Sequence, residues 1–255
     1  MRHALHFTVT HTSYPTGDAT VVRDEHGLCT EYLHRICTEA PHLRHFELSW
    51  MHSSAAPSLV TQHKTASVLP AFTHLATLAL AWNVACAPSI ILALSTLPRL
   101  KNLTIDRFYT SVGANEVLPF VLPTDGFESL ESLNLQLPFR AAYQILLAFP
   151  VAQLKIITLY MDDRCWIHEQ LDITRFVAHA FCRSLERFHF RAPEYPDNKR
   201  CPLSLDVINL LQTIDLIDVE LGWVDPRDIT DALCESMARA WPRLERLELL
   251  PMIWC

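Results

Sequence analysis

An α/β fold of stacked helix-plus-strand units, wound as a solenoid, is what this sequence predicts. Two observations carry it. The first is a recurring phrase. Ala40 to Leu48 reads APHLRHFEL, Phe72 to Leu80 FTHLATLAL, Leu97 to Ile105 LPRLKNLTI, Phe127 to Leu135 FESLESLNL, Cys182 to Phe190 CRSLERFHF and Trp241 to Leu249 WPRLERLEL. The second is that most phrases follow a stretch with helical periodicity, and several are announced by a proline. One helix and one strand per unit make all strands run the same way, because a parallel pair needs a crossover.

The elements follow in order. Leu5, Phe7 and Val9 alternate with His6, Thr8 and Thr10, which predicts a strand. Ser13 to Gly27 is polar and turn-rich, so residues 1–27 are set apart as a strand and loop, a possible truncated repeat, before a repeat domain over 28–255. From Leu28 to Ala40 the positions Cys29, Tyr32, Leu33, Ile36, Cys37 and Ala40 line one helix face. Pro41 ends that helix, since the residue before proline is pushed out of the helical region. Helices are further expected over Ser58–Leu69, Ser89–Leu97, Ala141–Phe149, Ile173–Cys182, Leu203–Leu210 and Asp228–Ala240, the last capped by Asp228. Ser111–Pro123 and Arg191–Pro202 read as loops. Strands follow the helices, including Leu154–Leu159 and a degenerate one near Leu211–Leu216.

The first leucine-type positions are 43, 75, 100, 130, 154, 185, 211 and 244, at intervals of 32, 25, 30, 24, 31, 26 and 33. They scatter on the long side of the roughly 20–29-residue leucine-rich repeat. The expected fold is therefore a leucine-rich repeat solenoid of seven to eight irregular repeats. A horseshoe-like parallel sheet lines its concave side and helices its convex side.

Composition excludes several functions. The 255 residues carry a net charge of −7, against a general nucleic-acid or anionic-membrane binder. Only five glycines occur, none close enough together to build a phosphate-cradling loop. The eight cysteines include no Cys-x-x-Cys pair and read as reduced thiols of a cytoplasmic or nuclear protein. No signal peptide is visible in MRHALHFTVT, and Ser89–Leu97 is too short to span a bilayer. His42-x-x-His45 and His3-x-x-His6 lack zinc-site partners at useful spacing, Asp162-Asp163 point apart on an extended segment, and no Gly-x-Ser-x-Gly elbow exists. No catalytic residue, metal or cofactor is expected. Trp50 and Trp82 sit at matching strand ends.

The phrases APHLRHFEL and LPRLKNLTI, and the run from Asp228 through ALCESMARAWPRLERLEL, resemble the leucine-rich repeat region of fungal F-box proteins over residues 28–255. That resemblance implies a protein-interaction module that presents a substrate to a cullin–RING ubiquitin ligase. Nothing in residues 1–40 matches an F-box, so the ligase adaptor is expected as a partner only where an F-box is supplied elsewhere. The alternative is a stand-alone repeat scaffold or inhibitor.

In a Leu-x-x-Leu-x-Leu strand the leucines point into the core and the intervening residues face the concave side. The expected protein-binding residues are Asn102, Asp106, Asn134, Gln136, Tyr160, Arg187, His189 and Arg191. Arg and Tyr are enriched at binding hot spots, and the row Arg187, His189, Arg191 suits an acidic or phosphorylated segment held by guanidinium forks. Leu244–Leu250, as a last strand with an unpaired edge, could support self-association.

Overall fold

The computed structural model describes residues 6–10, 33–40, 42–49, 59–81, 87–106, 126–149, 153–161, 166–191 and 202–251. The loops expected at 13–27, 111–123 and 192–201, Asp162-Asp163, Trp50 and Trp82 lie outside them. The chain is α/β and divides into two compact units: residues 1–130 with 146–150, and residues 131–145 with 151–255.

In the first unit β1 (His6–Thr10), β2 (His45–Ser49), β3 (Thr77–Ala81) and β4 (Asn102–Asp106) each pair in parallel with the next. Between them run α1 (residues 33–39), α2 (Leu59–Val68) and α3 (Pro88–Ser95). Helix α1 keeps the predicted face: Leu33 is buried and Ile36, Cys37 and Ala40 are half-buried, while His34, Arg35, Thr38 and Glu39 are exposed. Pro70 falls inside a 3₁₀ turn, Leu69–Ala71, that closes α2. Pro88 occupies the first position of α3, where its missing N–H costs nothing.

The approach to five of the strands is a turn. The leucine N–H bonds back to the carbonyl three residues earlier: Leu43 to Ala40, Leu75 to Phe72, Leu100 to Leu97, Leu130 to Phe127 and Leu244 to Trp241. Pro98 and Pro242 occupy the second residue of such turns, which suits the fixed proline φ and requires no donor. Next, two successive N–H groups converge on one carbonyl of the preceding repeat. Ala76 and Thr77 donate to the Arg44 carbonyl at 2.8 and 2.9 Å, and Lys101 and Asn102 to that of Ala76 at 2.8 and 3.0 Å.

The second unit repeats the device. Lys155 and Ile156 donate to the Glu131 carbonyl, Glu186 and Arg187 to Lys155, Ile217 and Asp218 to Glu186, and Glu245 and Arg246 to Ile217. These bonds set the register of β5 (Ser132–Leu137), β6 (Ile156–Met161), β7 (Arg187–Arg191), β8 (Asp218–Val224) and β9 (Arg246–Pro251), again parallel in chain order. Burial alternates strictly on β5 and β6, with Leu133, Leu135, Leu137, Ile157, Leu159 and Met161 all buried. Each such side chain contributes about 1.5–3 kcal/mol relative to exposure. On β9 the alternation fades, and Leu247 is 39% exposed.

The helices are α4 (Phe139–Ala148), of which residues 139–145 belong to this unit, and α5 (Ile167–Ala180), α6 (Leu205–Leu211) and α7 (Asp231–Ala240), which lie wholly in it. Helix α5 starts six residues before the expected Ile173, because its first turn exposes Trp166 and Ile167 and buries an amide, Gln170, in place of a hydrocarbon. The Glu169 carboxylate accepts the Trp166 N–H at 2.8 Å, half of a capping box. Gln170 accepts the Ser204 N–H at 3.2 Å and reaches the Pro202 carbonyl at 3.5 Å, tying this repeat to the next.

Two expectations are corrected here. The strand placed at Leu211–Leu216 is β8, at Asp218–Val224, because Ser204 caps α6 and the helix extends through Leu211. The repeat leucine is thus Leu216, not Leu211. The cap of α7 is Thr230, whose hydroxyl accepts the Leu233 N–H at 3.2 Å. Asp228 belongs instead to a 3₁₀ turn, Pro226–Asp228. Trp241, fully buried, donates its indole N–H to the Leu211 carbonyl at 3.2 Å and so satisfies the end of α6. The sheet is interrupted by a bulge at Gly222–Val224, where Trp223 takes φ 64° and its carbonyl accepts the Leu203 N–H.

Candidate protein-binding face

The parallel register places the polar residues of the second unit in rows. The first row is Ser132, Ile156, Arg187, Asp218 and Arg246. The second is Asn134, Thr158, His189, Glu220 and Glu248, and Gln136, Tyr160 and Arg191 begin a third. Neighbours in a row sit about 4.7–4.9 Å apart along the hydrogen-bonding direction. Six expected residues, Asn134, Gln136, Tyr160, Arg187, His189 and Arg191, are therefore brought together on β5, β6 and β7. Asn102 and Asp106 stand on β4 of the first unit. There Asn102 donates to the Thr77 hydroxyl at 3.2 Å, and Asp106 lies beside Ala81 in register.

The basic row is not a set of free forks. Arg191 is paired through Nε with Glu220, which is only 1% exposed. His189 lies between the Thr158 hydroxyl, 3.4 Å from Nδ1, and Asp218, 3.3 Å from Nε2. The His189–Asp218 approach is close, yet neither atom gains a well-aligned hydrogen bond from it. Arg246 spans Asp218 and Glu220, both at 3.6 Å, and Glu248 at 2.5 Å. His189 apart, the cations Arg187, Arg191 and Arg246 on β7–β9 equal the anions Asp218, Glu220 and Glu248 in number. That balance corrects the expected electrostatic attraction for an acidic segment across the whole row.

Arg187 is the exception. It is exposed, and among the described residues it forms no side-chain hydrogen bond or ion pair. Asn134 and Tyr160, half-buried on the neighbouring strands, are likewise without a side-chain partner among the described residues. The chemistry on offer is one available guanidinium, an amide and a phenol, beside a neutralised lattice.

Asp218, Glu220 and Glu248 were missed as site residues. The signal for the first two was Leu216-x-x-Val219-x-Leu221, hidden by the overlapping Leu211-x-x-Ile214-x-Leu216. A separate acid is strongly perturbed. Asp225, in the turn after β8, has its carboxyl lowered to about 2, first by the Arg227 guanidinium and then by the Arg227 backbone N–H. It is a turn residue, off the open face. Among the described residues no three His, Cys, Asp or Glu side chains converge to hold a metal, and no helix is long and apolar enough to cross a membrane. A scan against protein-family models finds no match, and a search of curated proteins finds none.

Proposed function

We propose that the chain is a leucine-rich repeat protein-interaction module that acts by binding and not by catalysis. The open face of β5–β7 holds a segment of a protein partner. The observation that carries this reading is Arg187: an exposed guanidinium that pairs with no carboxylate among the described residues, on a face whose other arginines, Arg191 and Arg246, are both ion-paired. Farther along the same face stand Asn134, an amide in the second row, and Tyr160, an aromatic surface in the third beside Arg191; Tyr and Arg are residue types that anchor interfaces. The fitting partner presents a single acidic group to Arg187 and mixed polar and apolar surface around it. By its resemblance to the repeats of F-box proteins, the module would select a ubiquitination substrate in the cytoplasm or nucleus.

The test is affinity capture of the tagged chain and of its Arg187→Ala and Tyr160→Ala variants. A specific protein retained by the native chain and lost from both variants supports the reading. Retention unchanged in both contradicts it. Co-purification of a cullin–RING adaptor favours the ligase role, and its absence favours a stand-alone scaffold.

A further inference from the structure

The strand-start edge of the first unit carries a different kind of charge. His42 and His74 occupy the same repeat position, one residue before Leu43 and Leu75, and Arg99 holds it before Leu100. The His42 and His74 rings meet edge to face at 4.9 Å. Arg99 Nη1 lies 3.0 Å from His74 Nδ1, so a neutral His74 carries its proton on Nε2, as a donor. Arg44 follows Leu43 and lies within electrostatic reach of the same ring. Among the described residues no carboxylate pairs with any of these four groups, and the exposed Glu128 in the following turn pairs with neither guanidinium.

Arg44 and Arg99 carry charge of one sign with no carboxylate paired to either among the described residues, and an anion that joins them relieves the mismatch. We infer that this edge binds a phosphate monoester dianion carried on a protein segment, held by Arg44 and Arg99 with His42 and His74 as further donors. Two guanidiniums with two imidazoles match a single phosphoryl group. The patch is too small to track a polyanion, and the chain's net charge of −7 opposes a nucleic acid or an anionic membrane. None of the four residues belongs to the open face of the second unit, so the two sites stand or fall separately. The His74 imidazole supports the assignment: its proton affinity is held below the ordinary histidine range by partial burial first, then by Arg99, His42 and Arg44. A bound dianion reverses the effect of those cations.

The experiment is a proton NMR titration of the two imidazole C2–H signals in the full chain with inorganic phosphate, then with a phosphoserine peptide and its unphosphorylated form. Sodium chloride at matched ionic strength is the control. The expected result is a saturable shift of both signals and a rise in the pH at which His74 titrates. Apparent affinity should fall about tenfold in Arg99→Gln and in Arg44→Gln and stay unchanged in Arg175→Gln, an exposed change on α5 outside both sites. The phosphopeptide should bind and its unphosphorylated form should not. Shifts no larger than those in sodium chloride, or shifts that survive in the Arg44→Gln, Arg99→Gln double variant, overturn the site. A response to phosphatidylserine vesicles or duplex DNA with none to the phosphopeptide overturns the protein carrier.

Discussion

The two units use one backbone device and opposite electrostatics. In both, paired N–H groups at strand starts, those of β3 and β4 in one and of β6 to β9 in the other, converge on a carbonyl of the repeat before. In the second unit several charged residues around that device are matched across strands, Arg187 excepted: Lys155 with Glu131, Arg243 with Asp215, and Arg246 with Asp218 and Glu220. In the first unit the corresponding edge sets His42, His74 and Arg99 side by side, with Arg44 close by. The register of a parallel sheet decides which residues meet. Whether the meeting stabilises the fold or leaves charge for a partner depends on the side chains alone.

The sharpest way to break the matched side is to strip Glu220 of its partners. Replacing Arg191 and Arg246 together by Ala leaves a carboxylate 1% exposed with no counter-ion, and should cost about 3–5 kcal/mol in urea unfolding. Glu220→Gln should cost less, because the guanidiniums it releases are nearly half exposed and regain water. Next in size is Trp241→Phe. It keeps most of the buried volume but leaves the Leu211 carbonyl without its indole donor, for an expected loss of about 1–3 kcal/mol.

The unmatched side should respond in the other sense. Arg44→Gln and Arg99→Gln remove repulsion and should leave stability within about 0.5 kcal/mol of the parent, or raise it. The pH profile sharpens this contrast. Folded His74 takes up a proton less readily than the unfolded chain, so its contribution is intact above the ordinary histidine value and declines as pH falls through its lowered folded value. Arg99→Gln should soften that decline in thermal unfolding followed against pH. Asp225 acts lower on the scale: its contribution is full above its ordinary value of 3.8 and is lost as pH falls toward about 2.

The backbone architecture was legible because the core enforces it. A leucine moved by one position would leave the buried side of its strand, so the phrases mark β2–β7 and β9 closely. Strand β8 was read out of phase, since two overlapping phrases share Leu216 and only the Ser204 cap shows that Leu211 belongs to a helix. The start of α5 was hidden by Gln170, a buried amide where periodicity seeks a hydrocarbon. Six of the expected site residues do share one face, as period two requires. What could not be read was which of them is engaged. Arg187 and Arg191 look alike in sequence, and the difference between them is Glu220, on the strand that was out of phase.

Cross-strand matching on β7–β9 commits Arg191 to Glu220 and leaves Arg187 available. The most direct measurement is a double-mutant cycle on Arg191→Ala and Glu220→Gln, read by urea unfolding. A favourable coupling of about 1–3 kcal/mol is predicted, with a coupling near zero for the parallel cycle on Arg187→Ala and Glu220→Gln. Equal couplings for the two arginines, or none for either, would contradict it.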